Sequence, residues 1–262
     1  MSKKILIFGA NGYVGSHIAR EALRCGATVV GVCRSGSPPS WAQKEDSWGP
    51  KCLWEQADAM ILDQVKGVIE VHPDTAAIIS CIGMFGRTTE EMRRGNGTPN
   101  TNIALATFLN QSIDKYVLVS AAQEFWPVSR ILRGYYVGKR SAEKAMRETL
   151  GPQYVGLDPR YLILRPGFVY GSRMVAGCAV PLQVLGRPLE AVLGPLHKML
   201  PDYGILQPPI SVDVLAKCAV QGALNRSYHG TVNYTDMTKA VQTGEYRSPE
   251  VVPPKFQYKK FP

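Results

Sequence analysis

Three side chains in the middle of the chain could carry out proton and hydride chemistry together. Ser120 follows an apolar run, and Tyr135 and Lys139 stand four residues apart. This spacing places a phenol and an ammonium on one face of a helix. A nearby cation stabilises tyrosinate, which lowers the pKa of the phenol towards that of a working general acid. With Ser120 hydrogen-bonded to a carbonyl oxygen that gains charge as hydride arrives, the set predicts an oxidoreductase site.

A second pair in the same stretch competes with this interpretation. Tyr136 and Arg140 have the same spacing, but a guanidinium is too basic to relay protons. Tyrosine and lysine are common on helices. The alternative for either pair is therefore an ordinary structural helix face.

The N-terminal stretch predicts a dinucleotide-binding turn. Residues 4–8 form an apolar, strand-like run, and an amphipathic pattern typical of a helix follows the turn. Glycines let a backbone approach a phosphate closely, and a helix N-terminus offers free N–H groups. The alternative is a generic strand-to-helix turn with glycines for packing. We predict that a cofactor is bound by the residues of this turn, Gly9, Asn11, Gly12, Tyr13, Val14 and Gly15.

The end of the second predicted strand indicates which dinucleotide is bound. Arg34 and Ser35 occupy the place where an acidic residue would bind the ribose 2′-hydroxyl of NAD. A basic residue there suits the 2′-phosphate of NADP, so NADP(H) is favoured over NAD(H). A solvated surface arginine is the alternative. Asp58 closes the third strand, where its carboxylate can accept from the adenine amine or simply cap a turn.

The elements that must position these residues alternate along the chain. Further strands are predicted over residues 28–34, 52–58, 76–81, 116–120 and 161–165, and helices over 61–71, 102–113 and 133–150. Residues 35–50 are expected to be a loop, and 87–100 a polar stretch leading into the next helix. This alternation predicts an α/β fold, a Rossmann-type doubly wound parallel sheet with helices on both faces.

The regular alternation stops near residue 171. We expect a Rossmann core over residues 1–171, a small substrate-side cap plus returning core elements over 172–236, and an extended, basic, proline-rich tail over 237–262. Prolines and glycines divide residues 178–200, so short helices are predicted there. The alternative to a cap is a surface that lies on a membrane or a partner. A helix over 211–225 and a strand over 231–234 complete the core.

Composition excludes several classes of protein. The chain has 262 residues with 45% hydrophobic and 19% charged residues, as in folded globular proteins. No apolar run is long enough for a spanning helix. The net charge of +9 comes from scattered residues without a basic–aromatic motif, so we do not expect nucleic acid as a partner. Six separated cysteines without a C-x-x-C pair predict neither a metal site nor a disulfide framework.

Taken together, these motifs resemble the extended or atypical branch of the short-chain dehydrogenase/reductases. Besides the glycine turn and the Ser, Tyr and Lys set, residues 165–171 (R-P-G-F-V-Y-G) resemble a segment that lines the nicotinamide side in that branch. Residues 209–216 (P-I-S-V-D-V-L-A) resemble a later signature. The resemblance implies that the cofactor also meets Cys81 and Gly83 after the fourth strand, Lys139, and the segment Pro166, Gly167 and Phe168.

A mitochondrial subgroup of this family is more similar still, over residues 1–39 and 134–140. It contains the Rossmann-fold accessory subunit of respiratory complex I and the short-chain-dehydrogenase-like protein of coenzyme Q biosynthesis. Members of the subgroup hold NADPH without clear turnover. In active relatives Gly or Ala and then Ser stand between the Tyr and the Lys, whereas Tyr136, Val137 and Gly138 stand here, which puts catalysis in question.

The resemblance therefore implies an NADP(H)-binding subunit of a mitochondrial quinone-linked assembly, with the nucleotide mainly structural or regulatory. Its expected location is the matrix side of the inner membrane. Its expected partners are subunits of a membrane-associated complex, with peripheral contact to the membrane itself. The alternative is an active NADPH-dependent oxidoreductase on a quinone-like or lipid carbonyl.

Overall fold

The computed structural model describes residues 2–122, 128–152, 157–175, 178–199 and 208–248. The strands are β1 (Lys4–Phe8), β2 (Thr28–Cys33), β3 (Leu53–Gln56), β4 (Thr75–Ser80), β5 (Lys115–Val119), β6 (Tyr161–Leu164), β7 (Val169–Tyr170), β8 (Ser172–Val175), β9 (Cys178–Pro181), β10 (Ile210–Ser211) and β11 (Gly230–Val232). The helices are α1 (Tyr13–Arg24), α2 (Leu62–Val71), α3 (Thr89–Leu109), α4 (Val128–Ile131), α5 (Arg133–Leu150), α6 (Gln183–Met199), α7 (Val212–Leu224) and α8 (Tyr234–Thr243).

Seven parallel strands form the main sheet, in the order β11-β6-β5-β4-β1-β2-β3. Within this sheet β1 pairs with β2 on one side and β4 on the other, with Ile5 opposite Val29 and Ala77. The order of connection therefore reverses between β1 and β4. In doubly wound sheets, ligands bind in the crevice outside the carboxyl ends of the strands at such a reversal.

Apolar side chains of the strands alternate between two cores. Ile5 and Ile7 face α1 and α7, whereas Leu6 and Phe8 face α2, α3 and α5. All four side chains are fully or almost fully buried, as expected for a strand covered by helices on both faces. The predicted doubly wound parallel sheet with helices on both faces is confirmed.

The helix α3 differs from its prediction. A helix was expected only from residue 102, yet α3 begins at Thr89 and contains Pro99. A capping box between Thr88 and Glu91 satisfies its first turn. Packing stabilises the rest, because α5 lies close against α3 at Gly134 and Gly138. A Cβ atom at those positions would stand 2.0 Å from Thr89 O and 2.5 Å from Arg93 O.

The region after residue 171 also differs. Short helices were predicted over 178–200, whereas β8 and β9 form an antiparallel hairpin and α6 is one helix of 17 residues. Pro188 lies inside α6 and removes one backbone hydrogen bond. The helix is nevertheless held against the core, since Gly186 packs so tightly on Tyr170 that a Cβ atom would lie 2.2 Å from the ring.

The C-terminal part continues the core beyond the expected boundary. An extended tail was predicted from residue 237, but α8 runs to Thr243, and that prediction is wrong for residues 237–243. An Asn233–Asp236 capping box begins α8, and Gly244 ends it with a left-handed φ of 72°. Residues 249–262 of the predicted tail lie outside the described residues. No helix in the described ranges is both long and apolar enough to cross a membrane.

Candidate dinucleotide site

The glycine turn lies at the carboxyl end of β1, where the sheet reverses its order of connection. Gly9 has a φ of 80°, a left-handed conformation that favours glycine. A Cβ atom at Gly15 would stand 2.0 Å from Gly9 O, so only glycine lets α1 approach the turn. No side chain caps α1 at Gly12. The first turn of α1 therefore offers backbone N–H groups to an anion, which fits the diphosphate of a dinucleotide.

Tyr13 is the first residue of α1. Its ring meets His17 edge-to-face, with 5.6 Å between centroids, and the Arg173 guanidinium lies 5.9 Å from the ring centroid. Burial is the largest cause that raises the pKa of Tyr13 to about 12. The Tyr13 hydroxyl is buried without a hydrogen-bond partner among the described residues. Val14 is partly buried against the hydrophobic core that lies between the sheet and helices α1 and α7. This packing holds the turn in position.

The end of β2 lies beside this turn. Arg34 and Ser35 follow the strand directly and are both exposed. The Asn11 side-chain nitrogen lies 3.4 Å from the Ser35 hydroxyl, which joins the glycine turn to the end of β2. Asp58 is placed two residues after β3, where its carboxylate accepts from the Met60 N–H at 2.9 Å. Its turn-capping alternative is thus present in the structure, and its contact with adenine stays a prediction.

Two asparagines on α3 hold the segment after β4, which includes Cys81 and Gly83. Asn96 accepts from Met84 N–H at 3.1 Å and donates to Met84 O at 2.8 Å. Asn100 accepts from the Ser80 hydroxyl at 2.6 Å. Both asparagines are fully buried, so they fix the backbone after β4.

Lys139 is a buried cation beneath the same segment. Its Nζ donates to Ile82 O at 2.7 Å and to Val119 O at 2.9 Å, which ties the ends of β4 and β5 together. A Cβ atom at Gly83 would lie 3.3 Å from this Nζ. Burial is the largest cause that lowers the pKa of Lys139 to about 8, a value suited to proton exchange near neutral pH.

Tyr135 lies close to Lys139, as the spacing predicts. The Lys139 Nζ is 5.9 Å from the centroid of the Tyr135 ring. On its other side Tyr135 stacks on Phe85, with centroids 5.1 Å apart, and Tyr136 meets it edge-to-face. Phe85 is 70% exposed. This aromatic group therefore borders solvent at the carboxyl edge of the sheet.

Ser120 is engaged with a residue that the sequence analysis missed. Its hydroxyl donates to Glu143 Oε1 at 2.6 Å, and both side chains are buried. Arg140 and Arg165 form short contacts with the same carboxylate, and Arg147 approaches it at 3.2 Å. The Ser120 proton is thus committed to a carboxylate. The predicted role of Ser120 towards a carbonyl oxygen stays a prediction, and it would need this bond to break.

The pKa of Glu143 follows from the same contacts. Burial by itself would raise it, but hydrogen bonds from Arg165 and Ser120 and the charge of Arg140 hold it below its ordinary value. Glu143 is therefore a stable buried anion. Its signal in the sequence is its position four residues after Lys139, one further turn along the same helix face.

Backbone hydrogen bonds hold the segment after β6 in place. Pro166 is buried and its carbonyl accepts from Ala122 N–H at 2.7 Å. Phe168 is 50% exposed and its carbonyl accepts from Ile210 N–H at 2.8 Å. Gly167 lies between them. The structure brings this segment to the end of β5 and the start of β10, although contact of any of its residues with a cofactor stays a prediction.

A carboxylate on α6 links the C-terminal region to the core. Glu190 accepts a short hydrogen bond from the Tyr170 hydroxyl and another at 3.0 Å from the Tyr234 hydroxyl. The pKa of each tyrosine is raised, first by burial and then by this bond. These bonds tie α6 to β7 and α8.

The predicted residues thus fall into two groups within one edge of the sheet. The glycine turn, Arg34 and Ser35 lie at the ends of β1 and β2. Lys139, Tyr135 and Ser120 lie at the ends of β4 and β5. Such an edge, with a glycine cradle at the reversal, defines an NAD(P)-binding Rossmann fold of the short-chain dehydrogenase/reductase type.

Comparison with known proteins agrees with this class. Residues 5–177 match the model of the NAD dependent epimerase/dehydratase family, and the chain belongs to that family. An Arabidopsis thaliana protein described as uncharacterized and chloroplastic is 32% identical over 91% of this chain and 77% of its own length. MIOREX complex component 2 of Saccharomyces cerevisiae is 23% identical over 92% of this chain and its whole length.

The solved structure of Candida albicans Gre2 in complex with NADPH has the same fold. Its TM-score is 0.62, with 14% identity over 88% of this chain and 77% of Gre2. At this identity the similarity establishes the fold alone.

Proposed function

We propose that the protein is an NADP(H)-binding subunit of an organellar assembly, in which the dinucleotide is mainly a structural or regulatory ligand. The observation that carries the proposal is the contrast between two predicted sites. The glycine turn has an uncapped helix N-terminus ready for a diphosphate, whereas the Ser120 proton is committed to Glu143.

The residues of the chain would divide the binding between them. The first turn of α1 would hold the diphosphate, and Arg34 with Ser35 would meet the 2′-phosphate of NADP(H). Asn96 and Asn100 would keep the backbone after β4 in place for the nicotinamide half. A bound nicotinamide supplies a hydride donor or acceptor. Lys139 keeps the ends of β4 and β5 at a fixed separation through its two carbonyl contacts.

The relatives support the organellar part of the proposal. The Arabidopsis relative is described as chloroplastic and the yeast relative as a component of a complex. The sequence resemblance favours a mitochondrial quinone-linked assembly at the matrix side of the inner membrane. We propose this as the specific form, with subunits of that assembly as the partners and peripheral contact with the membrane.

An active NADPH-dependent oxidoreductase is the second candidate. The proximity of Tyr135 to Lys139, with the pKa of Lys139 lowered to about 8 by burial, favours it. A quinone-like or lipid carbonyl would then lie beside the half-buried ring of Tyr135 and the exposed ring of Phe85, which together offer an apolar surface.

A hydride-transfer assay separates the two candidates. The purified chain is incubated with NADPH and a panel of quinones and lipid carbonyls, and NADPH oxidation is followed for the wild type, Tyr135→Phe and the neighbouring control Tyr136→Phe. We expect NADPH binding in all three and no substrate-dependent oxidation. Oxidation that only Tyr135→Phe abolishes would establish the oxidoreductase instead.

A further inference from the structure

The connection between β2 and β3 differs from the helical connections that follow the other strands on this side of the sheet. Residues 35–52 contain only two short 3-10 turns, Ser40–Ala42 and Gly49–Lys51. Trp48 anchors this connection, because its ring lies 6.1 Å from Trp54 and 5.9 Å from Trp41 between centroids. Both Trp48 and Trp54 pack on the α1 core. The connection is therefore fixed, and it holds Trp41 beside α1.

Trp41 forms one wall of a cavity at the N-terminal end of α1. The cavity has a volume of about 150 Å³, which is the liquid volume of about five water molecules and enough for a phosphate group. Its lining combines two aromatic rings with polar and basic side chains. Residues that line it include Asn11, Tyr13, Arg20, Trp41, Ser172 and Met174.

Arg20 is the cation of this lining. It is exposed and forms no ion pair within the described part of the chain. Arg24, one turn further along α1, is by contrast held by Glu21 at 2.7 Å. His17, another residue of the lining, is 3.3 Å from Asp213, whose side chain is largely exposed. The charge available to a ligand in the cavity is therefore positive.

Asn11 connects the cavity to the end of β2. It lines the cavity, and its side-chain nitrogen lies 3.4 Å from the Ser35 hydroxyl. Arg34 precedes Ser35 and also makes no ion pair in the ranges that the structure describes. Arg20 thus lines the cavity together with Asn11, and Arg34 lies next to Ser35 outside that lining.

We propose that this cavity binds the 2′-phosphate of NADP(H), with Arg20 as a specificity-determining residue alongside Arg34 and with Trp41 as the aromatic wall of the cavity. The inference rests on the proposed function and adds to it a residue on α1 that the sequence motifs do not mark. A phosphate near two guanidinium groups gains charge-assisted hydrogen bonds. The 2′-hydroxyl of NAD(H) carries no charge and gains none of them.

Paired titrations test the assignment. Dissociation constants of NADPH and NADH are measured by calorimetry for the wild type, Arg20→Gln, Arg34→Gln and the matched control Arg24→Gln. Arg20→Gln should weaken the binding of NADPH by about tenfold or more. It should leave the dissociation constant of NADH unchanged within about twofold, because a distant and uninvolved group shifts an affinity by no more than that. Arg24→Gln should leave both nucleotides unchanged. The same titrations with adenosine 2′,5′-bisphosphate and adenosine 5′-monophosphate, which lack the nicotinamide half, should show the same difference: Arg20→Gln weakens the binding of the first and not of the second.

Each contrary result has a distinct meaning. If Arg20→Gln weakens NADPH and NADH equally, the cavity serves the diphosphate and the assignment to the 2′-phosphate is wrong. If Arg20→Gln behaves like Arg24→Gln while the wild type binds NADPH, this inference fails and the proposed function stands. If the wild type binds neither nucleotide, the proposed function fails and takes this inference with it.

Discussion

The two halves of the candidate site differ in how many of their hydrogen-bonding and charged groups have a partner within the described part of the chain. At the glycine turn, the helix N-terminus has no side-chain cap and Arg20 and Arg34 have no ion pairs within the described residues. At the end of β5, Ser120 and Lys139 are buried and fully engaged with Glu143 and backbone carbonyls. The first half needs a ligand to complete its hydrogen bonds. The second half is already part of the folded core, which favours binding over turnover.

The largest effect should come from Glu143. Replacement by Gln leaves three arginines around a neutral side chain, and removing one partner of a buried ion pair costs about 3–5 kcal/mol. We expect Glu143→Gln to lower the free energy of unfolding by that amount, measured by denaturant titration, with little change in NADPH affinity of the folded fraction. Glu148→Gln is the control, since Glu148 is exposed and only 3.8 Å from Lys144, and should cost less than about 1 kcal/mol.

The same network should make the free energy of unfolding depend on pH in the acid range. The pKa of Glu143 lies below its ordinary value in the folded state. The Glu143 carboxylate therefore stabilises the fold fully above its pKa in the unfolded chain, which is about 4.3. This stabilisation is lost as the pH falls through the folded value. Glu143→Gln should therefore remove part of the acid dependence of stability. If Glu143→Gln and the wild type lose stability equally as the pH falls, Glu143 is not a buried anion that stabilises the fold.

Gly15 should give the next largest effect and should act on the other half. A Cβ atom 2.0 Å from Gly9 O forces the turn to open, at a cost of up to about 3 kcal/mol. Gly15→Ala should also weaken the binding of NADPH by at least about tenfold, because the backbone N–H groups of the first turn of α1 move away from the diphosphate. Gly67→Ala in α2 is the control, because nothing lies within 4 Å of its Cβ position. It should stabilise the fold by about 0.5–1 kcal/mol.

Lys139 should show a smaller effect that depends on pH. Burial lowers its pKa to about 8, so between about 8 and about 10.4 the unfolded chain binds more protons than the folded chain. Stability of the wild type relative to Lys139→Met should therefore rise by about 2 kcal/mol from pH 8 to pH 10. Unfolding titrations of both proteins across this range give the difference. A flat difference would show that Lys139 is not a desolvated cation.

Phe85 should give the smallest effect, because it is 70% exposed and its main contact is the stack on Tyr135. Phe85→Ala should lower the free energy of unfolding by less than about 1 kcal/mol and leave NADPH affinity unchanged within about twofold. A large loss of NADPH affinity would show that the stacked rings of Phe85 and Tyr135 contact the nucleotide directly.

Short runs between turn residues were sufficient to predict the strands of the main sheet, most clearly the β-branched runs of β2 and β4. Local patterns failed where tertiary packing overrides local propensity. Pro99 and its polar neighbours indicate a loop, yet close contact with Gly134 and Gly138 stabilises a helix there, and the Thr88–Glu91 capping box was the available signal. Similarly, Pro188 suggested a break that the packing of Gly186 prevents.

The candidate site divided in the same way. The glycine turn could be predicted because backbone conformation restricts the residue type. The link between Ser120 and Glu143 could not, because it joins a strand to a helix turn 23 residues later. Likewise, the cavity beside Trp41 depends on how residues 35–52 fold, and that segment carries no periodic pattern.

Binding of NADPH to the purified full chain tests the central claim most directly. The chain is freed of nucleotide, titrated with NADPH by calorimetry, and compared with Gly15→Ala. We predict saturable binding of one NADPH per chain that Gly15→Ala weakens by at least about tenfold. Absence of binding to either NADPH or NADH at millimolar concentration, by a wild-type chain that unfolds cooperatively, would contradict the account.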